Sequence, residues 1–408
     1  MIFNSFTKKL PQLRHDIDLI PVDHEGNELI YFHDPMGYIP ENFVLNREIE
    51  PFLGLFNHYL TIEELARTDY FNSDKAEFLA LVQFLDQNHV LFSNHFKLFR
   101  EKTESEYEGA GIRNPWLMDK SYPAEADKMA DFLNSLFVHA ADDKALVHET
   151  PKALYAPHID LSVGGHLYGK VFSYLKDIRP ERVVILGTSH YAGSFHPLYE
   201  HQPFIGTTKD YHLPGREFKT DREYIDRLSR SLQNGGFTTQ DRAHRMEHSL
   251  ETHLLFLNII WKHPFSVVPI LVAGLEEIFY HPGGEQMDQI DRFADQLREN
   301  DDESTFYLIS GDLSHVGKRF GDPTPASKMR ASVEVIDRKF LEYAANSDAA
   351  GLLKLLSADH DATRICGFPP LYPFLKTSIP LQGKQIGYEW WDDAAHESAV
   401  SYGSVLYF

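Results

Sequence analysis

RVVILGTSH, residues 182–190, packs the aliphatic run VVIL against a polar carboxyl end that finishes in histidine. A strand with one wet face alternates apolar and polar residues. A short unbroken apolar run instead reads as a strand covered on both faces, as in a parallel sheet. FSVVPILVAG (265–274) and STFYLISGDLSH (304–315) repeat the pattern, and KALYAPH (152–158) is a shorter version. Amphipathic stretches lie between them: GGHLYGKVFSYLKDI (164–178), EHSLETHLLFLNIIW (247–261) and a helix around 286–299. Such alternation predicts an α/β fold, a mostly parallel sheet flanked by helices.

Upstream the pattern differs. IDLIPV and LIYFHD flank the polar turn DHEGNE, which predicts a β-hairpin. REIEPFLGLFNHYL places Ile49, Phe52, Leu53, Phe56 and Tyr59 at helical spacing. TIEELA opens on Thr61 and Glu64 in capping-box positions. SDKAEFLALVQFLDQ offers Ser73 as cap and Phe78, Leu81, Val82 and Leu85 as an apolar face, and VLFS (90–93) reads as a returning strand. Residues 1–108 therefore read as a small α+β, winged-helix-like domain. The charged EKTESEYEGAGIRNP (101–115) reads as a linker, and residues 109–408 form the α/β domain.

At 408 residues, 43% hydrophobic and 24% charged, the chain has material for two or three ordered domains. A formal net charge of −21 without a basic stripe argues against a nucleic-acid partner. No apolar stretch approaches the roughly 18–20 residues of a membrane span. The start, MIFNSFTKKLPQL, lacks the apolar core of a signal peptide. With a single cysteine, this predicts a soluble, cytoplasmic protein.

Three strand-like runs deliver their polar residues at the carboxyl end: His158, His190, and Asp312 with His315. Open α/β sheets bind ligands there. One such histidine is ordinarily a hydrogen-bonded turn residue; the same arrangement three times points to a metal or proton-transfer site. HSLETH sets His248 and His253 five apart, unlike the four-residue step of a zinc-binding helix. Glu247 and Glu251 are one helical turn apart, so this segment supports ligands from a second shell or is a solvated helix start. Cys366, in TRICGF, has three readings: a ligand beside two imidazoles, a thiolate favoured by a helix starting at PPLYPFLK, or a small buried hydrophobe. The residues alone leave these open. Nucleotide-cradling GxGxxG and GxxxxGK[ST] motifs and the hydrolase GxSxG elbow are absent from the sequence.

APHIDLSVGG, VVILGTSHY, EHSLETHLLFL, SGDLSHVGKRF, RICGF and SAVSYGSVLYF, in this order over residues 112–408, resemble the Memo-like family. The bacterial branch of that family is AmmeMemoRadiSam system protein B. The resemblance implies a fold similar to class III extradiol dioxygenases and a metal held by His158, His190 and Cys366. Asp312 and His315 would line the pocket, with His315 moving protons and Asp312 orienting it. Iron(II) is the first expectation, copper or zinc the alternatives; a thiolate where the dioxygenases have glutamate brings copper into competition. His248, Glu251, His253 and Asp160 are expected as a second shell, Asp160 also as a helix cap. The implied function is a metal-dependent redox enzyme, a dioxygenase or oxidase, acting on an unidentified small molecule or peptide. Its alternatives are a non-catalytic metal- and peptide-binding module and a zinc-dependent hydrolase. The first hundred residues resemble PqqD-like winged-helix domains. The family also implies radical-SAM and AMMECR1-type partner proteins.

Overall fold

Val183, Val184, Ile185 and Leu186 are fully buried in the strand Arg182–Thr188 of the computed structural model, which describes residues 1–69, 71–137, 149–233 and 235–408. Both faces of this strand are covered, as the apolar run requires. Val184 and Leu186 join a cluster with Phe293 and Phe374 on one side, while Gly187 on the other meets Ser249 and Leu250.

The chain divides into two compact units, Met1–Gly109 and Ala110–Phe408. In the second, the strands Ala153–Ala156, Thr305–Ser310, Arg182–Thr188 and Ser266–Val272 lie side by side in that order, all parallel. The sheet continues past Ala153–Ala156 through the antiparallel strand Ser398–Tyr407, which pairs with Gly383–Asp393. Helices such as Leu161–Ser173, Glu285–Glu299 and Phe368–Lys376 pack around it. This is the α/β, mostly parallel sheet flanked by helices that the strand runs predict. Among the described residues no helix is long and apolar enough to cross a membrane.

The first unit carries a small antiparallel sheet of Asp18–His24, Asn27–His33 and Val44–Asn46, the hairpin turning at Gly26 with φ +80°. The Thr61–Glu64 capping box is present. Four details depart from expectation. Asp74, not Ser73, caps the helix Lys75–Gln87, because its carboxylate reaches the amides of Ala76 and Glu77. The helix expected in REIEPFLGLFNHYL is limited to Glu50–Leu55 between two 3-10 turns, and it stops where Tyr59 turns left-handed. VLFS contributes only an isolated bridge, Leu13 with Leu91. The supposed linker 101–115 is largely the helix Asn94–Gly109, followed by the strand Ile112–Arg113 with Arg113 fully buried.

Candidate metal centre

Register brings the strand ends level. Ala156 pairs with Ser310, and Ser310 with Gly187, across three neighbouring strands. His158, Asp312 and His190 follow within a few residues, so their side chains emerge at one edge. Cys366 arrives on a separate segment, held by backbone contact: Gly367 N–H donates to Asp312 O at 2.8 Å, and Asp312 N–H donates to Cys366 Sγ at 3.2 Å. The approach is close enough that a Cβ on Gly311 would lie 2.1 Å from Gly367 Cα. Two glycines are required here. His158, His190 and Cys366 each present a ligand atom, all within 4.8 Å of one another, and Asp312, His315 and Cys366 form a second such set.

The hydrogen-bond partners fix which nitrogen of each imidazole is free. Ser310 Oγ donates to Ser249 O at 2.6 Å, so its hydrogen is used and it must accept from His158 Nδ1 at 3.0 Å. His190 Nδ1 faces the carboxylate of Glu247 at 2.9 Å. His315 Nδ1 faces only carbonyls, those of Leu313 and Arg364, at 3.1 Å each. All three partners accept, so all three histidines carry a proton on Nδ1. His158 and His315, held neutral by burial, keep a lone pair on Nε2, and His190 has one there whenever it is neutral. His158 Nε2 lies 3.3 Å from Cys366 Sγ and takes the thiol hydrogen. Imidazole lone pairs and a sulfur collected in one place are a donor set for a borderline-soft cation, and the residues fit the expected metal.

Electrostatics keep His158, His315 and Cys366 neutral and leave the charge at the His190–Glu247 pair. Burial pushes the Cys366 thiol well above its ordinary pKa, with Asp312 adding to the effect. The nearby start of the helix Phe368–Lys376 does not outweigh this, so the thiolate expected from the helix dipole does not form on that account alone. Burial also holds His158 well below its usual range and His315 down at about 4. Burial raises Asp312 to about 7 against the pull of the His158 and Ile159 amides, which donate to its Oδ1. His190 is lowered by burial but raised more by Glu247, and ends above its ordinary value.

The other expected residues distribute unevenly. His248 stands with the ligand imidazoles, its ring 4.7 Å from that of His190 and 5.2 Å from that of His158. Asp160 caps the helix Leu161–Ser173 through the Ser162 amide. His253 is fully buried beside the rings of Tyr168 and Phe172 and belongs to none of the candidate donor sets. Glu251 turns from the donors to bind Arg113, the amides of Trp116 and Leu117, and Tyr122 Oη. Asp312 does not orient His315; the two carbonyls on His315 Nδ1 do.

The sequence places Glu247 in a segment that supports ligands, but pairs it with Glu251 on one helical face. The helix begins only at Glu251, so the two share no face. Glu247 accepts from the His190 amide at 2.8 Å as well as from the ring, and from the His248 and Ser249 amides at 3.0 and 3.1 Å. With these donors it stays ionised, its pKa lowered to about 2 against the opposing effect of burial.

Residues 113–406 match the family model of the Memo-like proteins. A MEMO1 family protein of Aquifex aeolicus is 26% identical over 386 residues, covering 92% of this chain and 95% of its own. One from Thermus thermophilus is 28% identical over 63% of this chain and 72% of its own, and one from Methanopyrus kandleri is 23% identical over 72% and 98%.

Proposed function

The chain belongs to the Memo-like family, and from that premise we propose that it is a metal-dependent redox enzyme whose centre uses His158, His190 and Cys366. The observation that carries the reading is the convergence of these three donors, with each imidazole's Nδ1 hydrogen committed elsewhere. Iron(II) is the proposed metal, with copper and zinc as competitors for a set that mixes imidazole and thiolate. Iron or copper held there would supply one-electron chemistry toward dioxygen or an organic substrate, whereas redox-inactive zinc would supply only Lewis-acid chemistry. To hold a metal, Cys366 Sγ would give up the hydrogen that otherwise faces His158 Nε2.

The residues around the donors have separate tasks. His315 keeps Nε2 unprotonated and is therefore the group that accepts a proton from a substrate hydroxyl or amine. Asp312, buried and near neutrality in its pKa, holds the His158 backbone in place and stands 3.8 Å from His158 Nε2. His190 is the most exposed of the three donors, so substrate is proposed to approach on its side. The finer assignments belong to the same proposal: system protein B of the AmmeMemoRadiSam type, an extradiol-dioxygenase-like fold, a PqqD-like N-terminal unit and a cytoplasmic location.

The experiment is elemental analysis of anaerobically purified protein, wild type beside Cys366→Ser. Stoichiometric iron or copper that falls with the substitution supports the reading. Equal metal in both, or none in wild type supplied with metal, refutes it.

A further inference from the structure

The three donors come from three segments, yet one short stretch supports all of them. Glu247 holds the ring and amide of His190. Ser249 O accepts from Ser310 Oγ, the hydroxyl on which His158 Nδ1 rests. Ser249 Oγ donates to Thr188 O at 2.8 Å, and Thr188 Oγ1 donates to Cys366 O at 2.6 Å. The bonds from Ser249 to Ser310, Ser310 to His158 and Ser249 to Thr188 are buried, and those to His190 and Cys366 partly so. Glu247, Ser249 and Ser310 are each no more than 1% exposed. The sheet makes room for this stretch at Gly187, where a Cβ would come within 2.6 Å of both Ser249 Oγ and Leu250 Cδ2.

Building on the metal-centre reading above, we propose that Glu247–Ser249 is a common buttress that presets His158, His190 and Cys366 before any cation arrives. Glu247 and Ser249 are then positioning residues. Neither is assigned an atom on the metal. Three hydrogen bonds engage Glu247 Oε1 and one Oε2, all four from the His190, His248 and Ser249 segments it steadies, and Ser249 spends its hydroxyl on Thr188. Glu247 also lies within 4.8 Å of donor atoms of His190 and His248. Their contribution is to remove the cost of ordering three separate chain segments when the cation binds. The buttress also links the donors, so a disturbance at Glu247 reaches a sulfur it does not touch.

Cobalt(II) is the probe, titrated anaerobically into the metal-free full chain, because a thiolate ligand gives it a charge-transfer band. Three quantities are read: the dissociation constant, the position and intensity of that band, and the melting temperature of the metal-free protein. Glu247→Gln and Ser249→Ala are expected to bind cobalt about 10–100-fold more weakly, the usual size of an outer-sphere loss. The band is expected to shift in both, with the metal-free melting temperature within a few degrees of wild type. Affinities within twofold of wild type overturn the proposal. So does a loss of affinity that merely follows a large drop in melting temperature, which marks a general structural role. Should Glu247→Gln fail to fold, Ser249→Ala decides by the same outcomes. A wild type that takes up no cobalt, or takes it up without the thiolate band, sinks the metal centre itself, a result distinct from a variant that binds normally.

Discussion

His158 Nε2 and Cys366 Sγ stand 3.3 Å apart although 208 positions of sequence separate the two residues. Neither side chain reaches far to make the contact. The backbones carry it, through Gly311 and Gly367, which meet with no room for a side chain on either.

Gly311→Ala would put a methyl 2.1 Å from Gly367 Cα, against backbone that cannot rotate away. Overpacking of this kind costs about 3 kcal/mol. Urea denaturation should show that loss, and cobalt binding should weaken because Cys366 is displaced. An unchanged midpoint would mean that the two segments are not in tight contact.

The proton positions are directly measurable. Long-range proton–nitrogen NMR of the metal-free protein near pH 7.5 should show His158 and His315 as neutral Nδ1–H forms. Finding His158 with its proton on Nε2 would overturn the donor set, since that nitrogen could not then bind a cation, and finding His315 so would remove it as the proton acceptor. Ser310→Ala removes the acceptor that fixes His158 and should leave this histidine in a tautomer mixture, with about 1 kcal/mol of stability lost.

His253 should make the fold sensitive to acid. Its ring is fully buried, neither nitrogen has a hydrogen-bond partner among the described residues, and burial holds its pKa at about 3. A depressed histidine pKa means that the unfolded chain binds the proton more readily than the folded one. Stability is therefore flat above pH 6.5 and falls as the pH drops toward 3. The loss by pH 4 is roughly 3 kcal/mol from this group. His253→Phe should make that limb of a stability–pH curve shallower, leaving the contributions of the other buried histidines such as His315, without weakening the protein at neutral pH. An acid limb identical to wild type would assign the sensitivity to other groups.

Glu251 and Arg113 are both completely buried and paired, with the Glu247 and His244 carbonyls completing the guanidinium's partners. Arg113→Ala strands the Glu251 carboxylate in the interior, a change that typically costs about 3–5 kcal/mol. Arg113→Ala with Glu251→Leu should recover part of that loss in urea denaturation. A single variant as stable as wild type would show that this pair is solvated.

The parts of this protein that sequence declares are those whose own side chains carry the signal. VVIL declares a buried strand, and histidines at three strand ends declare an edge where something binds. What sequence hides is done by groups without a signature. His315 is set by two backbone carbonyls, which any residues supply. Ser310 and Thr188 look like ordinary strand residues, yet their hydroxyls steady His158 and Cys366. Glu247 was concealed by a helical spacing that begins four residues too late to apply. The charged stretch before residue 110 looked like a linker because charge density is shared by linkers and by exposed helices.

The long separation between His158 and Cys366 also sets an order of events. In the unfolded chain the donors are unlinked, and gathering them costs the entropy of closing large loops. Parallel strands brought together from distant positions form slowly. A cation held at these residues therefore recognises the finished fold and adds stability only to it, about 4 kcal/mol at a thousandfold excess over its dissociation constant. Loading follows folding, and occupancy of the centre becomes a measure of how much of the protein is native.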